Sequence, residues 1–124
     1  MKANKKGISR VLAAFVYSVD GLGVAFKHEA AFRQELLLFV LFLPLLVVLP
    51  LSLTFKCLLL SINFLVLIVE MINSAIESVV DLVSPDYNIY AKRAKDMGSA
   101  AVLLSLSLAL ILWVIALSTA FLFE

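Results

Sequence analysis

Leu36 to Leu53, Cys57 to Val69 and Met97 to Phe123 contain no charged side chain. A helix needs about 20 mostly apolar residues to cross a bilayer core, and in lipid its backbone must satisfy its own hydrogen bonds. Each stretch therefore reads as one membrane-spanning helix, the second being prolonged by a polar-striped segment through Val83. The expected architecture is all-α, a single membrane domain over 1–124. It comprises an interfacial helix in 1–30 and spans at about 34–53, 56–83 and 97–123. Composition agrees: 64% of the 124 residues are hydrophobic and the mean hydropathy is +1.11, far from soluble domains. Pro44 and Pro50 bend or end the first span without forbidding it, since neighbouring helices can satisfy freed carbonyls.

Charge placement orients the spans. Lys2, Lys5, Lys6, Arg10, Lys27 and Arg33 precede the first, and Lys92, Arg93 and Lys95 lie between the second and third. Only Lys56 falls in the other loop. Nine basic residues against one put the N-terminus and second loop in the cytoplasm and the C-terminus outside. No cleavable leader is expected, because the first strong apolar core starts late and no small-residue cleavage site follows it. A net charge of +1 gives no reason to invoke nucleic acid, and the single Cys57 excludes an intramolecular disulfide. In the first thirty residues, apolar positions 8, 11, 12, 15, 16, 19, 22 and 26 keep helical spacing. That pattern suits a helix lying in the membrane interface, either a plain anchor or part of a site.

The second span carries the anomaly. At about 100° per residue, Glu70, Asn73, Glu77 and Asp81 fall on one stripe about 80° wide; Asn63 projects onto it and Ser74 borders it. An ionised carboxylate at the bilayer centre costs about 2.5–3.5 kcal/mol even on a lenient scale. Three helices enclose little interior, so the stripe is expected to face a neighbouring subunit or a water-facing cleft, which implies a homo-oligomer. Ala91, Ala94, Gly98, Ser99, Ala100 and Ala101 permit close helix approach.

Glu29 stands at the entrance to the first span, four residues before Arg33 on an expected shared helix face. Glu29 and Glu77 together suit a hard divalent ion such as Mg²⁺, which takes one or two protein carboxylates plus phosphate oxygens and water. Glu70 lies about 10 Å deeper than Glu77, at a level a lipid hydroxyl can reach. Lys95 and Asp96 stand at the mouth of the third span, where a cation meets phosphate. The arrangement suggests a nucleotide on the water side and a lipid alcohol on the membrane side. Blander readings exist: Glu29–Arg33 as a surface pair, Lys92, Arg93 and Lys95 as topology signals, and His28 as an interfacial side chain. Trp113 and Phe121 read as boundary or packing residues. No Gly-x-x-x-x-Gly-Lys-Ser/Thr loop is present, which excludes a soluble-type phosphate cradle.

The strings Glu29-Ala-Ala-Phe-Arg-Gln-Glu35, Val69-Glu-Met-Ile-Asn-Ser-Ala-Ile-Glu77 and Arg93-Ala-Lys-Asp-Met-Gly-Ser-Ala-Ala101 resemble the integral-membrane diacylglycerol kinases of bacteria. The resemblance covers almost the whole chain. It implies transfer of the ATP γ-phosphoryl to diacylglycerol, giving phosphatidate, by an Mg²⁺-dependent homotrimer of the inner (cytoplasmic) membrane. Its active sites would be shared between subunits. By the same resemblance Glu70 is the general base, Glu29 and Glu77 bind metal, and Asn73 and Asp81 support them. Nucleotide contacts fall on Arg10, Tyr17, Glu29, Glu77, Asp86, Tyr87, Asn88, Lys95 and Asp96. The lipid pocket falls on Arg10, Ala31, Phe32, Arg33, Gln34, Glu35, Lys56, Glu70, Ser99 and Trp113. Three positions depart from the family pattern: Asp86 stands for glutamate, Asn88 for histidine and Lys56 for arginine.

Two competing readings stay open on the sequence. An undecaprenol kinase of the same fold would share the phosphate-site motifs. A small oligomeric cation or proton channel would line its pore with Glu70 and Glu77, although the third span offers only Ser105, Ser107 and Ser118 for a path.

Overall fold

The computed structural model describes residues 6–122, which form four α-helices: α1 (Ile8–His28), α2 (Ala30–Val48), α3 (Leu53–Val83) and α4 (Ile89–Leu122). Lys2, Lys5 and Phe123, three positions used in the sequence reading, lie outside the described residues. There is no strand among the described residues. All four helices, α1 included, are long and apolar enough to cross a membrane. Length and composition therefore do not separate α1 from the three expected spans.

Helix ends follow local chemistry rather than the edges of the apolar stretches. α2 begins at Ala30, ahead of the expected 34, and stops at Val48 instead of reaching 53. Pro50 ends it: the residue before proline is pushed out of the helical region, and Leu49 sits at φ −66°, ψ 138°. Pro44, by contrast, is accommodated inside α2, leaving the Val40 carbonyl without its helical N–H. Ser52 then caps α3, its hydroxyl accepting from Phe55 N at 3.2 Å. Lys56 closes the same turn by donating from Nζ to the Val47 carbonyl at 3.2 Å. α4 starts at Ile89, well before the apolar stretch at 97, because Asn88 supplies the cap. The Asn88 Oδ1 accepts from Tyr90 N at 2.9 Å and Ala91 N at 3.3 Å.

The α1–α2 junction differs from the sequence expectation. Glu29 is not helical but extended, at φ −110°, ψ 105°, ending α1 and opening α2. Its N–H donates to Ala25 O at 2.9 Å, and its carbonyl accepts from Arg33 N at 3.2 Å. Glu29 and Arg33 consequently share no continuous helix face. The Arg33 guanidinium turns back instead, donating from Nη1 to the carbonyls of Phe26 (2.8 Å) and Lys27 (3.2 Å). The last carbonyls of a helix lack intrahelical donors and carry its negative dipole end, so a cation there satisfies both.

α2, α3 and α4 run alternately up and down, with α3 against α4 as the most extensive interface and α2 against α3 next. At the end holding the α2–α3 turn, Leu46, Leu49, Leu59, Trp113, Ala116 and Ala120 form a buried cluster. The Phe42 and Trp113 rings meet there at 4.7 Å. Lipid is as apolar as leucine, so close packing and interhelical hydrogen bonds hold such a bundle together. Ala116 and Ala120, both essentially fully buried, let α4 come close. α1 is the least covered helix, with Ala25 alone buried.

Candidate active site

The polar stripe of α3 turns toward α4 of the same chain. Asn63 Oδ1 accepts from Trp113 Nε1 at 3.0 Å, Asn73 lies against Gly98, and Asp81 Oδ1 pairs with Lys95 Nζ at 2.5 Å. Three contacts thus follow the stripe from one end of the α3–α4 interface to the other. Asn63, Glu70, Asn73 and Ser74 are all buried within the single chain. Asn73 is buried by α4 of the same chain, because the small Gly98 brings that backbone onto it.

Three carboxylates, Glu70, Glu77 and Glu29, border the inner part of α3. Glu70 is only 5% exposed. Glu77, half-buried, accepts a long 3.4 Å hydrogen bond from Asn73 Nδ2. Glu29, also half-buried, lines a cleft of about 250 Å³ with Met71, Ser74 and Ser78 of α3. The extended backbone at Glu29 thus delivers its side chain to the level of Glu77 from a different helix junction. Asn73 Oδ1 is buried with no hydrogen-bond partner, so only one end of that amide is engaged.

Among the described residues, no three His, Cys, Asp or Glu side chains converge on one metal position. Glu29, beside Ser74 and Ser78, and Glu77, beside Asn73, are at most two carboxylates, the number taken by an ion that completes its shell with phosphate oxygens and water rather than by a closed protein cage. The donor chemistry therefore fits Mg²⁺ arriving with a phosphate substrate.

Beyond Glu77, the α3–α4 turn forms a cleft of about 390 Å³ lined by Asp81, Asp86, Tyr87, Asn88, Lys95 and Asp96, among others. Both of its lysines are paired: Lys95 with Asp81, and Lys92 with Asp96 at 2.5 Å. Lys95 precedes the apolar stretch, and its hydrogen bond to Asp81 holds its ammonium above the ordinary lysine value against a smaller desolvation effect. The cleft carries three aspartates against two lysines, so it is no simple phosphate sink. A nucleotide seated here brings its own need for a divalent ion.

The structure leaves other sequence-derived positions apart from this cluster. Arg10 and Tyr17 are exposed on α1, and Ser99 is exposed on α4. Lys56 lies near the far end of α3, about 21 Å along the helix from Glu70, held to the α2 carboxyl end. Of the segment from 31 to 35, Phe32 is buried, Glu35 half-buried, and Ala31, Arg33 and Gln34 exposed. Trp113 is buried and fixed by Asn63.

Gly98 is the position that sequence reasoning undervalued, treating it as one of several small residues. A Cβ at 98 would meet Asn73 Oδ1 at an impossible separation and Asn73 Cγ at 3.3 Å. Gly98→Ala is expected to displace the Asn73 amide and release Glu77. Helix propensity gains up to about 1 kcal/mol, while overpacking costs about 1–3 kcal/mol, so the fold survives. Thermal unfolding in micelles should shift only modestly while enzymatic turnover falls about tenfold or more, following the mispositioned Glu77. Unchanged turnover would remove Asn73 from the working site.

A sequence model of prokaryotic diacylglycerol kinase matches residues 16–117. The diacylglycerol kinase of Escherichia coli (strain K12) is 44% identical over 117 residues, covering 94% of this chain and 96% of that protein. That of Pseudomonas aeruginosa is 44% identical over 107 residues, covering 86% and 87% respectively. The diacylglycerol kinase of Haemophilus influenzae, 37% identical, covers 86% of this chain and 91% of its own length. The stripe of α3, the Glu29 junction and the α3–α4 turn all lie inside the matched region. On that coverage the chain belongs to the prokaryotic diacylglycerol kinase family, a family of lipid kinases.

Proposed function

We propose that this chain transfers the γ-phosphoryl group of ATP to the free hydroxyl of diacylglycerol, releasing phosphatidate and ADP at the cytoplasmic face of the inner membrane. One observation carries the reading: two carboxylate levels about 10 Å apart on one face of α3. Glu77 is half-buried beside Asn73 and close to the α3–α4 cleft, whereas Glu70 is buried among helices that face lipid. The first level suits a metal–nucleotide, the second a lipid alcohol.

Phosphoryl transfer asks the protein mainly for positioning and charge compensation. Glu70 accepts the proton of the lipid hydroxyl as that oxygen bonds to the γ-phosphorus and the bond to the β-phosphate bridging oxygen breaks. Asn73 holds Glu77 through Nδ2, and the packed α4 backbone holds Asn73. Glu29 and Glu77 would hold Mg²⁺, which when bound neutralises charge on the transferring phosphates. Asp86, Tyr87, Asn88, Lys95 and Asp96 border the nucleotide in the α3–α4 cleft, and Arg10 and Tyr17, exposed on α1, reach the nucleotide of a neighbouring subunit. The burial of Glu70 keeps water from competing for the phosphoryl group. Basic residues gathered at the α1 and α3–α4 ends support a cytoplasmic N-terminus. The exposed α1 is available to cover a neighbour's site in a homotrimer.

The test is radiolabelled ATP with purified protein in mixed micelles and a panel of lipid alcohols, with and without Mg²⁺. Label is expected in phosphatidate, and only with the metal. Label appearing in a polyprenol alone would overturn the substrate assignment, and ATP-independent ion flux through liposomes would revive the channel.

A further inference from the structure

Between α2, α3 and α4 lies a cavity of about 200 Å³. One face of α2, from Glu35 to Phe42, and one face of α4, from Leu106 to Trp113, form its long walls, and α3 supplies Asn63 and Val66. Each of the two faces extends about 10 Å along its helix. Glu35 stands near the start of α2, the end proposed above to meet the cytoplasm, and the Phe42 and Trp113 rings meet at 4.7 Å at the other end. Neither Glu70 nor any residue placed above at the metal or the nucleotide lines this cavity.

Only Glu35, Asn63 and Trp113 bring polar side chains to the lining. Asn63 and Trp113 are engaged with one another, Nε1 donating to Oδ1 at 3.0 Å, and Asn63 Nδ2 is sealed off. Glu35 is left as the available polar group. It is half-buried and makes no ion pair among the described residues. Arg33, its nearest basic neighbour in sequence, is turned back to the Phe26 and Lys27 carbonyls. An acid at membrane depth is costly and ordinarily finds a partner, so a cation is the ligand this cavity asks for.

We propose that this cavity binds a single-chain cationic amphiphile, its protonated amine on the Glu35 carboxylate and its alkyl chain along Phe39, Phe42 and Val66. The polarity of the cavity matches the way such a molecule lies in a bilayer, with charge at the water-side end and an apolar, aromatic wall toward the interior. Apolar walls with one placed charge are the usual make of a small-molecule site. A primary ammonium, charged at neutral pH like that of lysine, brings three donors and the opposite charge to the carboxylate. A phosphate headgroup would set like charge against Glu35, and a neutral alcohol offers one hydrogen bond without the charge. The inference stands apart from the lipid-kinase reading, since it calls on neither ATP nor turnover.

Trp113 is the single tryptophan of the chain and lines the cavity, so its fluorescence reports occupancy. Octylamine and octanol are titrated separately, at neutral pH, into purified wild type and Glu35→Gln in micelles of a neutral detergent. The wild type is expected to give a saturable change with octylamine. Glu35→Gln is expected to weaken octylamine about tenfold or more, the worth of a hydrogen bond to a charged group, and to leave the octanol response unchanged. A wild-type change that never saturates reports partition into the micelle and overturns the proposal. Equal octylamine affinity in the two proteins overturns it as well, and an equal loss for both ligands makes Glu35 a packing residue. Should Glu35→Gln fail to fold, the wild type alone decides: octanoate, with the same chain and the opposite charge, should give no saturable change, and octanoate binding as tightly as octylamine sinks the site.

Discussion

Glu70→Gln is expected to lose phosphoryl transfer by about 10²–10⁴-fold, the usual contribution of a positioned general base, while binding MgATP with nearly unchanged affinity. Gln keeps the size and hydrogen-bonding capacity of the side chain but cannot take up the proton of the attacking hydroxyl. Substitution at this position is unusually clean. Glu70 is buried and makes no ion pair among the described residues, so Gln at this position orphans no cation. Thermal stability in micelles should therefore hold or rise. Steady-state turnover at saturating MgATP, paired with nucleotide binding by fluorescence or calorimetry, checks both halves. A Glu70→Gln protein that keeps most of its turnover would remove the base from the mechanism.

Glu77→Gln and Glu29→Gln should fail differently. Each removes an anionic oxygen offered to a hard cation, so the Mg²⁺ concentration for half-maximal activity should rise by at least about tenfold, as happens when even an outer partner of a metal ligand is lost. In Glu77→Gln the amide oxygen can still accept from Asn73 Nδ2, so local geometry persists and the change reports charge alone. Titrating Mg²⁺ at fixed lipid and ATP gives the shift, and raising Mg²⁺ should recover much of the activity in either variant. An unaltered metal dependence in both would place the ion elsewhere. The contrast with Glu70→Gln, which no metal concentration rescues, separates ligand from base.

Much of this site was legible in the chain. The seven-residue interval between Glu70 and Glu77 fixes two depths on one helix face whatever the rest of the fold does. Pro50 is a local signal, and α2 ends before it. The caps at Ser52 and Asn88 went unread, and α3 and α4 begin at Leu53 and Ile89, ahead of the expected 56 and 97. Glu29 was read on a helix face shared with Arg33, because nothing between them is a breaker. Its extended backbone depends on Arg33, which caps the carbonyls of Phe26 and Lys27 only after the chain has already turned. A periodicity argument sees four residues of spacing and predicts a shared face; it does not see that two helices meet there.

The sequence by itself determined the class, all-α and membrane-embedded, and which face of α3 is polar, because hydropathy and periodicity are local properties of a helix. Only the tertiary structure decided what that face meets. It set α4 against it within the same chain, through a glycine at 98 that allows the Asn73 contact and a pair, Asn63 and Trp113, fifty residues apart. It also left Lys56 at the opposite end of α3 from Glu70. These outcomes depend on interhelical distance and register, which are set by the volumes of side chains from two helices at once.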